Sequence, residues 1–389
     1  MSIRERYGLE PLINATGHPT IVGANVCTPE VVAAVAEALS MNVELDELQR
    51  RASAVIARVT GAEAGCVTSS CASGIVVAAA ASMTGPYFGR IAQLPDTTGM
   101  PNEIVLQKAH DVNFGAPVGQ MLRLAGARVV EIGTANHCDR FHLSVALNAR
   151  TAAVLYVVSG AVPAEAHLLS LAECVEACRP RGIRVIVDAA AQPDVRPFVQ
   201  QGADLVLASG HKVLGAPTSG LICGLKSMVR ACYLQNWGIG RAMKVGKEGI
   251  VGLLAALEAW ERRDPQEECR RLDAVTAVFE ARLGDFAAVR AGRGAVAHEI
   301  VVTVNHAGAR MTAQQLANLL REGTPPIWVA DAMDGEGAGR VYLDLRRLTV
   351  EEAGVICERM WESLGKRPAE DVPYHDLYRS VERLMHWPD

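Results

Sequence analysis

Ala208-Ser209-Gly210-His211-Lys212-Val213-Leu214-Gly215-Ala216-Pro217-Thr218-Ser219-Gly220 decides the fold. An apolar run over 205–208 enters this stretch and another over 221–223 leaves it. The lysine therefore stands just beyond a strand, in a turn dense with Gly and Ser. A lysine held rigidly there and partly desolvated shifts from a solvated ammonium toward a usable nucleophile and base. A lysine that forms a Schiff base needs those properties.

Working upstream, residues 184–187 read as a buried strand ending in Asp188. A carboxylate at the C-terminal end of such a strand points into the crevice where α/β sheets bind ligands. Lys212 follows Asp188 by 24 residues, room for one crossover and the next strand, which brings both to the same sheet edge. In an enzyme that uses pyridoxal 5'-phosphate (PLP), an Asp so placed pairs with the protonated pyridine nitrogen and keeps the ring an electron sink.

Further upstream, Val67-Thr68-Ser69-Ser70-Cys71-Ala72-Ser73-Gly74 runs from a strand through small hydroxyl residues into an Ala-rich helix. The unpaired N–H groups and positive end of that helix, with nearby hydroxyls, suit a cofactor phosphate. Taken alone, small residues at a strand–helix turn are more often a plain helix cap. His110 follows the strand 103–106 and is placed to lay its imidazole on a cofactor ring; by itself it would read as a surface-loop histidine.

Seven apolar runs, at 65–68, 103–106, 128–132, 153–158, 184–187, 205–208 and 221–223, alternate with helical patterns. They predict an α/β fold with a mostly parallel central sheet and helices on both faces. Thr28-Pro29-Glu30 opens a helix to about Ser40, a second helical pattern runs from Glu44 to Val59, and Ser170 to Glu173 has capping-box spacing. Beyond Trp260 the pattern changes to a charged helix, strands at 298–304 and 340–345, and a helix opened by Thr349 with Glu352. The prediction is an N-terminal segment with a large domain over 1–260 and a small C-terminal α+β domain over 261–389, with Arg262-Arg263-Asp264-Pro265 near the boundary.

Half of the 389 residues are hydrophobic, 21% are charged, and the formal net charge is -5. That balance argues against general attraction to nucleic acid, which relies on Lys and Arg at phosphates. The N-terminus lacks the apolar core of a secretory signal and no uncharged apolar run is long enough to span a bilayer, so a cytoplasmic enzyme without a membrane partner is expected. The ten cysteines lack paired CxxC spacing and read as reduced small hydrophobes. Cys174 and Cys178 share a helical face, but core packing explains them better than a metal does, and no metal is expected.

The ordered set Ile13-Asn14-Ala15-Thr16-Gly17, Thr60-Gly61-Ala62-Glu63, Ser69-Ser70-Cys71-Ala72, Val187-Asp188-Ala189, Ser209-Gly210-His211-Lys212 and Leu343-Asp344-Leu345-Arg346 resembles the fold-type I PLP enzymes related to bacterial selenocysteine synthase. It most resembles their D-glucosaminate-6-phosphate ammonia-lyase branch. The resemblance spans nearly the whole chain. It implies Lys212 as the Schiff-base lysine and Asp188 as the pyridine partner. Ser70, Cys71, Ala72 and Ser209 would surround the phosphate, with His211 beside the lysine and His110 on the ring. Arg346 would take the substrate carboxylate through its planar donor fork, with Asn14 also on the substrate side. Arg241 and Lys244, in a basic segment like that of the lyase branch, would meet a substrate anion; a solvated basic turn explains them equally well.

Two departures bear on function. Selenocysteine synthase carries an extra N-terminal domain for its charged tRNA, whereas this chain reaches Asn14 almost at once. His211 also stands where that enzyme is expected to carry Asp. The expected activity is therefore an α,β-elimination that converts a small β-hydroxy or sugar-derived amino acid to ammonia and a 2-oxo acid. Racemisation and aldol cleavage draw on the same cofactor chemistry and stay open. A tRNA-dependent selenium or sulfur transferase and a non-catalytic PLP-binding regulator are the readings from other classes. The resemblance also implies a homodimer or higher homo-oligomer.

Overall fold

A computed structural model describes residues 1–162, 165–284, 289–333 and 338–364. Among them the strands are, in chain order, β1 (Ile13–Ala15), β2 (Ala64–Thr68), β3 (Glu103–Gln107), β4 (Arg128–Ile132), β5 (Thr151–Val157), β6 (Arg184–Asp188), β7 (Leu205–Ser209), β8 (Gly220–Gly224), β9 (Val289–Arg293), β10 (Glu299–Asn305), β11 (Ile327–Met333) and β12 (Ala338–Asp344). The chain divides into two units. One is Val26–Arg263; the other joins Met1–Asn25 to the described part of Asp264–Asp389.

The larger unit holds a seven-stranded sheet in the order β2-β8-β7-β6-β5-β3-β4. Neighbours from β7 to β4 are parallel, and β8 runs antiparallel to both β7 and β2. All seven predicted strands are present, each within two residues of its predicted ends. Because side chains alternate across a strand, successive residues enter different cores. Val105, Val154, Val187 and Val206 fill one face, while Ile104, Leu155, Ile186 and Leu207 fill the other. Both faces of the sheet are therefore covered, which is why its strands read as near-continuous apolar runs.

The predicted caps are made. Thr28 Oγ1 accepts from Val31 N–H at 3.4 Å, and Ser170 and Glu173 each accept a hydrogen bond from the other's backbone N–H, at 3.3 and 2.9 Å. β2 ends the sheet order, so its outer backbone edge needs partners from elsewhere. Gln49, buried on the helix Leu45–Thr60, supplies them: its Oε1 accepts from Val67 N–H at 3.0 Å and its Nε2 donates to Val67 O at 2.9 Å. Cys174 and Cys178 lie in the apolar core of this unit.

In the smaller unit a five-stranded sheet has the order β1-β11-β12-β10-β9, with β1 parallel to β11 and the other neighbours antiparallel. Its core takes Ile13 and Ala15 together with Phe279 from the helix Pro265–Leu283 and Ile356 and Met360 from the helix Val350–Leu364. The predicted division differs at the N-terminus. Residues 1–25 group with the second unit because β1 pairs with Ile327–Val329 of β11 and its apolar side chains complete that core. The boundary, between Arg263 and Asp264, falls inside the predicted segment 262–265. The part of the predicted C-terminal domain over 365–389 lies outside the described residues.

Replacing Gln49 with Leu leaves two buried backbone groups of β2 without partners. The expected loss is about 2–4 kcal/mol, read as a lower denaturant midpoint at unchanged slope; an unchanged midpoint would show that the amide contributes nothing to β2.

Candidate active site

The sheet topology gathers the predicted cofactor residues at one edge. β3, β5, β6 and β7 are parallel and finish there, in Gln107, Val157, Asp188 and Ser209. Thr68, the last residue of β2, and Ser209 both pair with Gly220, the first residue of β8. The segments after β2, β3 and β7 thus bring Ser70, His110 and Lys212 to the edge where β6 ends in Asp188. This is the carboxyl-end edge at which open α/β sheets bind ligands.

Asp188 is only 6% exposed. Its Oδ1 accepts from Ala190 N–H at 3.1 Å and from the Cys71 thiol at 3.4 Å. Burial raises its pKa above the usual carboxylate value, and the Cys71 and Ala190 hydrogen bonds and the Lys212 charge pull the other way without cancelling the rise. Lys212 lies in the turn after β7, and its charge acts on three neighbours: Asp188, Cys71 and His211. His211 Nδ1 stands 3.2 Å from Ser209 Oγ, and burial, with the adjoining Lys212 charge, lowers the pKa of the ring.

The helix Cys71–Thr84 starts at this edge and is buried almost throughout. Ser70 is its N-cap: Ser70 Oγ accepts from Ser73 N–H at 3.0 Å, and Ser73 Oγ accepts from Ser70 N–H at 2.9 Å. The plain-cap reading of these hydroxyls is therefore real, and the first-turn N–H groups of Cys71 and Ala72 are the donors that a helix start leaves over. The Cys71 thiol faces Asp188, and burial with the nearby carboxylate raises its pKa far above that of a free thiol. Gly220 makes this packing possible, since a Cβ there would stand 2.4 Å from the Ser70 carbonyl carbon and 2.6 Å from Cys71 N.

His110 is buried rather than a surface-loop residue. Its Nδ1 accepts from Val157 N–H at 3.2 Å and its ring meets Tyr156 edge-on at 4.7 Å. Burial lowers its pKa to about 4. Tyr156 carried no sequence signal beyond membership of an apolar strand. Arg241 and Lys244 are exposed, on and just after the short helix Ile239–Met243.

The other two predicted residues belong to the smaller unit. The Asn14 amide is spent on its own turn, with Nδ2 donating to Gly17 O at 2.9 Å and Oδ1 accepting from Thr16 N–H at 3.0 Å. Arg346 is held by Asp344: its Nε donates to both carboxylate oxygens at 3.0 Å and its Nη2 donates to Oδ2. That pairing falls inside the quoted motif Leu343 to Arg346 but was not read from it. Among the described residues no cluster of His, Cys, Asp and Glu could hold a metal ion, and no helix is long and apolar enough to cross a membrane.

A mostly parallel sheet with a lysine after one strand and a buried Asp ending its neighbour belongs to the fold-type I architecture of PLP-dependent enzymes. The chain belongs to the family described as SelA: L-seryl-tRNA selenium transferase, whose model matches residues 12–283. It is 38% identical over 362 residues to D-glucosaminate-6-phosphate ammonia lyase of Salmonella typhimurium (strain 14028s / SGSC 2262), across 93% of this chain and 97% of that protein. It is 36% identical over 366 residues to 5'-C-glycyluridine monooxygenase-decarboxylase of a Streptomyces species, across 92% of this chain and 91% of that protein. A solved structure of D-glucosaminate-6-phosphate ammonia-lyase superposes with a TM-score of 0.85 at 36% identity, covering 94% of this chain and 98% of that one.

The buried neutral His110 ties stability to pH. Its pKa is near 6.5 when unfolded and about 4 when folded. The unfolded chain therefore binds the extra proton, so stability is full above 6.5 and falls as the pH drops toward 4. His110 should make the protein about 2 kcal/mol less stable at about pH 5 than at about pH 7. Denaturant unfolding of His110→Gln should show a flatter acid limb; an identical limb would contradict the assignment.

Proposed function

We propose that this chain is a PLP-dependent lyase that carries out α,β-elimination on a small β-hydroxy or sugar-derived amino acid, releasing ammonia and a 2-oxo acid. The observation that carries the reading is the pairing of a buried carboxyl, Asp188, with the charge of Lys212 at one sheet edge, beside a buried helix start. The donor set fits PLP. Asp188 is a desolvated acceptor that a cationic ring nitrogen would satisfy, and Lys212 would hold the cofactor through its ε-amino group. The first-turn N–H groups of Cys71 and Ala72, with Ser70 and Ser209, would meet the phosphate, and His110 would lie against the ring.

When bound, the cofactor supplies an electron sink for the charge that develops at the substrate Cα. Lys212 Nζ is the proposed base for the Cα proton. The carboxyl of Asp188 would hold the cofactor's ring nitrogen in its protonated form, and its burial would exclude water there. Arg346 is the proposed partner of the substrate carboxylate, with Arg241 and Lys244 as the proposed contacts for a second anion on the substrate. Across the reaction the β-hydroxyl leaves as water with the Cα proton, and hydrolysis then gives ammonia and the 2-oxo acid. The net charge of -5 speaks against the tRNA-dependent chemistry in the family's description.

The 36% identity to a monooxygenase-decarboxylase makes oxygen the informative variable. With PLP-loaded protein and a panel of D- and L-β-hydroxy amino acids plus D-glucosaminate 6-phosphate, one substrate should yield equal amounts of ammonia and 2-oxo acid, undiminished without oxygen. Lys212→Ala should lower the rate by about 10⁴-fold, and Asp188→Asn by about 10²–10³-fold. Turnover retained in Lys212→Ala, or product that depends on oxygen and comes with carbon dioxide, would overturn the proposal.

A further inference from the structure

His18 follows Gly17 in the turn that leaves β1, and its ring nitrogens are buried, with only the Ala24 backbone, among the described residues, near enough to serve one of them and no partner for the other. A buried polar group left in that state costs about 1–3 kcal/mol and calls for a partner. Facing the ring are the side chains of Asp344, Arg346 and Arg347 and the backbone of Ala24. His298 and Arg271 face the same Asp344–Arg346 pair, and an Arg271 Nη2–H donates to Arg346 O at 2.8 Å. Gly17 is needed for this approach. Its φ is +89°, and a Cβ there would stand 2.8 Å from Asp344 Oδ2.

In this state the chain's own carboxylate occupies the edge of Arg346 that best matches another carboxylate. Asp344 takes Nε and Nη2 side-on and also accepts from Arg346 N–H at 3.0 Å. A substrate carboxylate arriving at that edge must displace Asp344, which then needs a new donor close by. We propose that His18 is a positioning residue for Arg346: when a substrate carboxylate claims the Nε–Nη2 edge, Asp344 turns to His18, which takes a proton from solvent and holds it. The inference rests on the carboxylate-binding role proposed above for Arg346.

Electrostatics give the exchange its direction. In the resting chain burial and the Arg346 charge hold the His18 pKa at about 4, so the ring is neutral. Once the substrate neutralises Arg346 and Asp344 turns to the ring, the depressing charge is offset and the raising one strengthened. The pKa is then higher in the complex than in the free protein, and binding takes up a proton. Between the two values affinity falls about tenfold for each unit of rising pH; above the higher value it is flat.

The test uses glycerate, a hydroxylated carboxylate with no amino group and hence no imine chemistry of its own. Its binding to PLP-loaded protein is measured by calorimetry from about pH 5 to about pH 7, in buffers of different ionisation enthalpy. The wild-type protein should take up protons and bind more weakly as the pH rises. His18→Gln, which keeps a hydrogen-bonding amide but cannot be protonated, and Asp344→Asn, which has no carboxylate to exchange, should bind without proton uptake and with a flat profile. The wild-type slope persisting in His18→Gln would overturn the inference while leaving the lyase reading intact. Failure of wild-type protein to bind glycerate, or undiminished binding in Arg346→Met, would instead contradict the role of Arg346 and remove the inference with it.

Discussion

The buried carboxyl of Asp188 is the constraint on which the large unit turns. A carboxylate at 6% exposure is unfavourable unless charge or hydrogen bonding compensates. Here the compensation is partial: one backbone N–H, one thiol and the nearby Lys212 charge leave the pKa raised. Such a group has unspent capacity for a cationic N–H partner. The surrounding elements hold it in that condition: β6 between β5 and β7, the helix Cys71–Thr84 behind it, and Gly220 allowing that helix start to close against the sheet.

The two units solve carboxylate placement differently. In the large unit the carboxyl is short of partners, and the proposed cofactor would supply one. In the small unit Asp344 is fully engaged by Arg346, and the imidazole of His18 is the group left short. A site that must admit and release an anion gains from a guanidinium already neutralised by its own chain, since the free protein then carries no desolvated unpaired cation. The proposed substrate chemistry thus rests on one unsatisfied acid and one provisionally satisfied base.

Much of the large unit was legible in the sequence because burial on both faces writes strands as continuous apolar runs. All seven predicted strands appear, with Asp188 ending β6 and Lys212 in the turn after β7. β1 was missed as a strand because three residues carry no period, and only its pairing with β11 shows that the N-terminal segment belongs to the small unit. β9 was not read as a strand, since Arg290, Gly292 and Arg293 leave it little apolar pattern. The backbone pairing of Gln49 with Val67, the edge contact of Tyr156 with His110 and the grip of Asp344 on Arg346 are geometric, and no residue pattern announces them. Asn14, which the resemblance puts on the substrate side, has its amide bonded within the local turn, a pairing the motif does not announce.

The central claim is that Lys212 holds a PLP cofactor against Asp188. Its most direct test is the visible absorption spectrum of the purified protein after incubation with PLP, followed by borohydride reduction and mass mapping of the peptides. The account predicts a visible band that borohydride bleaches, with the added mass on the peptide carrying Lys212. No band after incubation, or a label on any other lysine, would contradict it.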